Sequence, residues 1–368
     1  MNANHVRLMN KSLKRFFGDA VRKSMGNPAM AWFLLKTVIR QRKAAQKRLA
    51  WEKQGLHVPP YLIASITHHC NLRCQGCYAR AHQRNESGQL SLERWGGIFK
   101  EARELGISVI MIAGGEPFAR REFLDVTKVF PEIIFPVFTN GLLLDEGLIR
   151  ELKRQKNVIP IISIEGFEKE TDERRGLGTY AGIQNIIRQL KINGLLFGIS
   201  VTATKENFTT VTGELFIREL LSAGGKVFIY VEYTPIEPGT ETLILDDSQR
   251  SFLCQMMQEY QAEYNGLFVS FPGDEEMYGG CLAAGRGFVH ISPDGSLEPC
   301  PFAPYSDTNV KDKSLKDALQ SGFLKTIRQN HGNLVETAGG CALWTNREWV
   351  GSILNSTNDS NQNNGSSM

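Results

Sequence analysis

The 368-residue chain has no run of 18 or more apolar residues, which excludes a membrane-crossing helix. Charges are scattered through its amino terminus, where a secretory signal would need a short basic head, an apolar core and a small-residue cleavage site, so no signal peptide is expected. Cysteine is scarce. Seven in this length are too few and too unevenly spaced for a disulfide framework, and three of them fall within eight residues of one another. Metal binding in a reducing, cytoplasmic setting is the better reading. Acidic residues are nearly missing from one region: residues 1–57 hold 13 Lys and Arg against only Asp19 and Glu52. That head carries +11 and the rest of the chain −8. A basic head on an acidic body points to an anionic surface, to an acidic patch of the body, or simply to a helix packed on the body with solvated charges. Aromatic interleaving is sparse and no nucleic-acid-binding motif occurs, so nucleic acid is not expected, and peripheral contact with the inner face of a membrane is the alternative to plain packing. The remaining composition is ordinary, 42% hydrophobic and 22% charged, which excludes a collagen-like, coiled-coil or wholly disordered chain.

What is present is a regular alternation. Residues 1–57 read as helix, with the apolar run 29–35 followed by Lys36, Arg40, Arg42, Lys43, Lys47 and Arg48. From residue 58, short apolar or β-branched runs at 61–67, 108–113, 133–139, 158–164, 196–204 and 226–233 alternate with stretches of helical period at 91–105, 145–155, 179–193 and 212–223. Six strand–helix units in succession predict an α/β fold with a parallel sheet and helices outside it. In such folds the site lies at the carboxyl ends of the strands. There stand His68, His69 and Cys70; then Gly114, Gly115, Glu116 and Pro117; then Asn140, Ser163, Glu165 and Gly166; and last Thr202, Thr204, Glu232 and Tyr233. These are expected to converge on one cavity. A further helix at 246–265 and a strand at 267–271 complete a region spanning 58–273. Beyond it glycine, proline and cysteine become dense, marking a smaller module at 274–352. The stretch from 355 has no core-forming residue, so 353–368 is expected to be a disordered tail.

Cys70, Cys74 and Cys77 form C-x3-C-x2-C. Three thiolates on one short loop can hold three irons of a [4Fe-4S] cube and leave the fourth iron open to an exogenous ligand. A tetrahedral zinc site wants four ligands, and neither His68 nor His69 has a usual spacing for the fourth.

At these residues the sequence resembles the radical S-adenosylmethionine (SAM) enzymes, over residues 60–240. Gly114-Gly115-Glu116-Pro117 is similar to the family's GGEP motif and follows the third cysteine by 37 residues. The resemblance implies a partial (β/α)6 TIM-like barrel in which that motif meets the methionine amino group of SAM, Asn140 and Ser163 meet its ribose, and Arg174 its carboxylate. Glycines suit close backbone approach and a carboxylate suits an ammonium. Family members commonly carry an aromatic residue just before the third cysteine, near the adenine. This chain has Gly76 there and Tyr78 just after the cysteine, which leaves Tyr78 as the aromatic candidate. The implied chemistry is reductive cleavage of SAM at the open iron, giving methionine and a 5′-deoxyadenosyl radical that abstracts hydrogen from an unactivated carbon.

In the second module, Cys281, Gly295 and Cys300 are spaced C-x13-G-x4-C, residues 293–295 read as a hairpin turn, and Cys341 follows. This resembles the SPASM or shorter twitch extension of the same family, which implies an auxiliary [4Fe-4S] cluster on Cys281, Cys300 and Cys341. Its fourth ligand is left to substrate, a non-cysteine side chain or Cys254, although Cys254, in an apolar helical segment, reads first as a small core residue. His290 reads as a satisfied strand histidine, and Glu275 and Glu276 as a solvated turn.

The expectation is an anaerobic radical SAM oxidoreductase with two clusters, an electron donor such as a flavodoxin or ferredoxin, and a peptide, lipid, tetrapyrrole or other small-molecule substrate. Peptide-modifying members often carry a recognition module of mixed strands and helix before the barrel, and residues 1–57 show no such alternation. The alternative class is a non-catalytic iron–sulfur carrier or cluster scaffold, against which the GGEP motif and the strand-end polar groups speak.

Overall fold

The computed structural model describes residues 3–23, 28–82, 88–271, 278–334 and 341–354. The chain opens with two long helices, α1 (Ala3–Lys23) and α2 (Pro28–Lys53). Strand β1 (Tyr61–Ser65) follows, then the short helix α3 (Tyr78–Ala81), α4 (Leu92–Leu105), β2 (Val109–Ala113), α5 (Phe123–Thr127), β3 (Phe135–Thr139), α6 (Glu146–Arg154) and β4 (Val158–Ser163). Helices α7 (Glu168–Arg175) and α8 (Thr179–Ile192) lead to β5 (Gly198–Ala203), and α9 (Phe208–Val211) and α10 (Glu214–Ser222) to β6 (Val227–Glu232). After α11 (Asp247–Glu263) comes β7 (Leu267–Phe271), and the carboxyl-terminal part holds β8 (Phe288–Ile291), β9 (Leu297–Glu298), α12 (Leu315–Ala318), α13 (Gly322–Gln329) and α14 (Ala342–Thr345).

Local chemistry explains these boundaries. In α4, Trp95, Ile98, Phe99, Ala102 and Leu105 fall on one buried stripe. Ser91 caps its start by accepting from the Arg94 amide, and Gly106 ends it at φ 96° in the left-handed region. The strands are short apolar runs, buried along most of their length as a sheet covered on both faces requires. Strands β1 to β7 pair in chain order, all parallel, in a curled half-barrel. This is the partial barrel expected, extended at both edges: β7 adds to β6, and β8 pairs in parallel with β1, Tyr61 opposite Phe288. β8 turns back antiparallel into β9 through the predicted hairpin.

The head is a pair of helices laid across the amino ends of the strands. α1 buries Val6, Met9, Leu13, Phe17 and Ala20, and Leu13 and Phe17 pack against Val109, Ile134, Ile159, Ile161 and Ile229 from three strands and a strand approach. Residues that would otherwise be wetted at the floor of an open barrel are thereby covered. α2 anchors through Arg48, which is 1% exposed and donates to Asn10 Oδ1 at 2.6 Å and to the Gly106 carbonyl. The expected tail at 353–368 starts too early, since residues 353 and 354 are helical and Ile353 is buried in the core; residues 355–368, and Glu275 and Glu276, lie outside the described residues.

Candidate active site

A cavity of about 310 Å³ opens at the carboxyl ends of the strands. Its walls contain Cys70, Cys74, Cys77, Tyr78, Gly114, Gly115, Glu116, Asn140, Ser163 and Arg174. Pro117 is buried just behind Glu116 and starts a 3₁₀ turn. Of the other expected strand-end groups, Thr202, Glu232 and Tyr233 line the cavity, whereas Thr204 is engaged with Asn207 in a reciprocal pair of hydrogen bonds. A slightly larger cleft of about 380 Å³ lies between α8 and α10, and no cysteine lines it.

The GGEP segment first serves the cluster loop. The Gly115 amide donates to the Thr67 carbonyl at 2.8 Å and the Glu116 amide to the His69 carbonyl at 2.7 Å. A Cβ on Gly115 would sit 2.2 Å from the His69 oxygen, so only glycine lets the two strand tails meet here. The Glu116 carboxylate accepts from the Phe118 amide, the Thr139 hydroxyl at 2.7 Å and the Asn140 amide at 2.8 Å. Burial pushes its carboxyl up, and these bonds pull the other way. Asn140 in turn donates to Asn71 of the cysteine loop at 2.8 Å. The motif thus ties the ends of β2 and β3 to the loop that carries the thiols.

On the opposite wall Glu165, fully buried, accepts from Arg174 at 2.5 Å and from Arg175 Nε at 2.9 Å, and its other oxygen accepts from the Thr202 amide. Burial works against the Arg175 charge, but Glu165 and the nearby Cys74 and Cys77 thiols hold its pKa above the ordinary value. The Gln75 amide donates to the Arg174 carbonyl at 3.0 Å, which ties the end of α7 to the cysteine loop.

Gly76 stands where family resemblance implies an aromatic side chain, and the space is filled from elsewhere. A Cβ on Gly76 would lie 2.2 Å from the Tyr233 hydroxyl oxygen and 2.7 Å from its ring. Tyr233 donates to Thr240 at 2.8 Å, and Glu237 from the same loop accepts from the Gly76 amide at 2.9 Å. Tyr78 instead turns toward the carboxyl-terminal module, its ring 5.4 Å edge-on from Phe302, and burial raises its phenol. Arg175, Tyr233 and Glu237 were not singled out for these roles by the sequence. Gly76 signalled that another side chain fills this space, without naming which.

Cys281, Cys300 and Cys341 are all buried, and Cys300 also lines the main cavity beside Phe302. A hydrogen bond with Cys341, then burial, raises the Cys300 thiol, and Cys281 adds to the effect. Cys254 lies on α11, whose buried face carries Leu253, Met256 and Met257. His290 is satisfied as expected, Nδ1 to Glu298 and Nε2 to Ser65, both at 2.8 Å.

The residues present fit an iron–sulfur cluster with a small cofactor beside it. Three thiols of one loop face a shared cavity, and Arg174 Nε in its wall is buried without a hydrogen-bond partner among the described residues. Although Cys70 is exposed as a residue, partial burial of its thiol raises it to about 11, a cost that metal ligation would reverse. Among the described residues no three His, Cys, Asp or Glu groups close on a single metal-ion position.

Fold and site together define a class: half-barrel proteins that present a cysteine loop at the strand ends for an iron–sulfur centre. Residues 64–211 match the family model of the Radical SAM superfamily. The chain is 26% identical over 289 residues to the AdoMet-dependent heme synthase of Methanosarcina barkeri, covering 71% of this chain and 82% of that protein. It is 23% identical over 305 residues to the PqqA peptide cyclase of Gluconobacter oxydans, covering 80% and 85%. Among solved structures its fold matches Streptococcus suis SuiB bound to the precursor peptide SuiA, with a TM-score of 0.61 at 20% identity over 84% of this chain and 75% of that one. Residues 64–211 thus form a Radical SAM domain, and the named relatives support a radical SAM enzyme, a family that uses a [4Fe-4S] cluster and SAM.

Proposed function

We propose that this enzyme is a peptide-modifying radical SAM oxidoreductase in which Cys70, Cys74 and Cys77 hold the SAM-cleaving cluster and Cys281, Cys300 and Cys341 hold an auxiliary [4Fe-4S] cluster. The observation that carries the reading is that both cysteine sets border one cavity, the first through all three members and the second through Cys300. When bound, SAM and the clusters supply the 5′-deoxyadenosyl radical that takes a hydrogen atom from the substrate and the acceptor for the electron the substrate then gives up, with a flavodoxin or ferredoxin as donor. The chain's own groups bind and shield. Asn140 and Ser163 present polar atoms for the ribose, and Arg174, steadied by Glu165, presents its guanidinium for the carboxylate. Ile63, Met111, Phe138, Phe271 and Phe288 make most of the wall apolar, which keeps water from the reacting carbon.

A peptide is favoured as substrate because relatives of this chain include PqqA peptide cyclases and its fold matches a protein solved with a precursor peptide bound. The test is anaerobic incubation of the reconstituted enzyme with SAM, reductant and a deuterated short peptide encoded beside its gene. Deuterium should appear in 5′-deoxyadenosine, and the peptide should lose two hydrogens. Transfer from a tetrapyrrole or lipid, with none from peptide, would overturn the substrate assignment while leaving the cluster assignment standing.

A further inference from the structure

The two amino-terminal helices expose a face that the cavity does not use. With its apolar stripe turned onto the strand starts, α1 leaves Arg7, Lys11, Lys14 and Arg15 exposed, and its one acidic residue, Asp19, is paired with Arg22 at 2.9 Å. α2 buries Leu34, Thr37, Gln41 and Arg48. Its outer side carries Trp32, Leu35 and Ile39, which are 58%, 43% and 50% exposed. Spaced i, i+3 and i+7, the three fall on one stripe of the helix. Lys36 stands over the Trp32 ring at 5.0 Å, and Arg42 and Lys43, both exposed, follow within the next turn.

Single exposed apolar residues are ordinary, but a tryptophan and two long aliphatics on one stripe, ringed by cations, meet the requirements of a phospholipid interface. Apolar side chains enter the boundary of the acyl layer, and lysine and arginine meet the phosphates. Among the described residues no helix is long and apolar enough to cross a bilayer. Charge decides the occupant. Residues 1–57 carry +11, so a symmetric contact with a second copy would set like charge against like, whereas an anionic surface neutralises them.

We propose that the outer faces of α1 and α2 dock the protein on an anionic phospholipid bilayer, with Trp32, Leu35 and Ile39 inserted. Both helices cover the amino ends of the strands, with Leu13 and Phe17 on Val109, Ile134 and Ile159, and Leu34 against Leu267. The cavity opens at the carboxyl ends. Docking therefore turns the mouth of the cavity away from the membrane, toward substrates that arrive through water.

The test is sedimentation of the full-length, cluster-loaded protein with phosphatidylcholine vesicles, with and without a minor fraction of phosphatidylglycerol, at low and high salt. Binding is expected only with the anionic lipid, weakened by salt, and roughly tenfold weaker in Trp32→Glu/Ile39→Glu at unchanged iron content. A second variant, Lys11→Glu/Lys14→Glu, leaves the apolar stripe intact and should also lose affinity for anionic vesicles. Equal binding to both vesicle types, no binding to either, or full binding by both variants would overturn the proposal. So would a dimer in light scattering that Trp32→Glu/Ile39→Glu abolishes, which would assign the stripe to a second copy.

Discussion

Glu165 is fully buried, yet two guanidiniums converge on one of its oxygens. Replacing it by Gln would leave Arg174 and Arg175 charged, buried and uncompensated, so Glu165→Gln should lower stability by about 3 to 5 kcal/mol in urea unfolding. A change below 1 kcal/mol would mean that solvent already screens the pair. Tyr233 makes a second residue-scale prediction. Tyr233→Phe keeps the ring against Gly76 and loses only the bond to Thr240, whereas Tyr233→Ala opens the wall beside the cluster loop. SAM affinity, measured by equilibrium binding, should fall about tenfold in the alanine variant and hold in the phenylalanine one. An unchanged affinity in Tyr233→Ala would remove the ring from the SAM site. The cysteines and GGEP were legible as local patterns at strand ends, and the family resemblance pointed to Asn140, Ser163 and Arg174, which line the same cavity. The Gly76–Tyr233 pairing was not, since the two loops it joins are 161 residues apart at the Gly76–Glu237 bond and nothing in either segment names the other.

At the scale of elements, residues 1–57 were legible as helix, but the face that α1 buries and what it packs against were not read from the sequence. The apolar stripe of α1 fixes an orientation, and only the curled sheet supplies the floor that Leu13 and Phe17 fill. The same holds for β8: four residues with strand character do not say that they will extend β1 in parallel. α1 also reaches the carboxyl-terminal part through His5, whose Nε2 lies 3.1 Å from the Arg286 carbonyl, with the rings of His57 and Tyr278 close by. Burial, with smaller contributions from the Arg286, His57 and His331 charges, lowers the His5 pKa to about 4. Between that value and 6.5 the unfolded chain binds the proton and the folded one does not, so this contribution to stability is complete above about 6.5 and is lost as pH falls toward 4. His5→Gln should therefore lose less stability than the wild type between pH 7 and pH 4 in paired urea titrations. Parallel profiles would show that His5 is already protonated in the folded state.

For the whole molecule, the barrel and the carboxyl-terminal region read from composition share one core, and the amino-terminal helices pack on the barrel in separate clusters. β8 joins the barrel sheet, Arg94 on α4 donates to the carbonyls of Val310 and Lys313, and Glu101 accepts from the Leu315 amide. That packing brings Cys300 to the edge of a cavity whose other side is the loop of Cys70, Cys74 and Cys77. The juxtaposition was not readable from spacing, because the motifs suggest ligand sets and only the curled sheet brings them to one space. The proposed function gives SAM cleavage to the first set alone. The direct check is 5′-deoxyadenosine formed anaerobically with dithionite and SAM by three proteins: the wild type, Cys70→Ala/Cys74→Ala/Cys77→Ala, and Cys281→Ala/Cys300→Ala/Cys341→Ala. Product from the wild type and from the third protein, with none from the second while it still holds iron, is the expected result. Product from the second protein, or none from a wild type whose clusters are spectroscopically intact, would contradict the assignment.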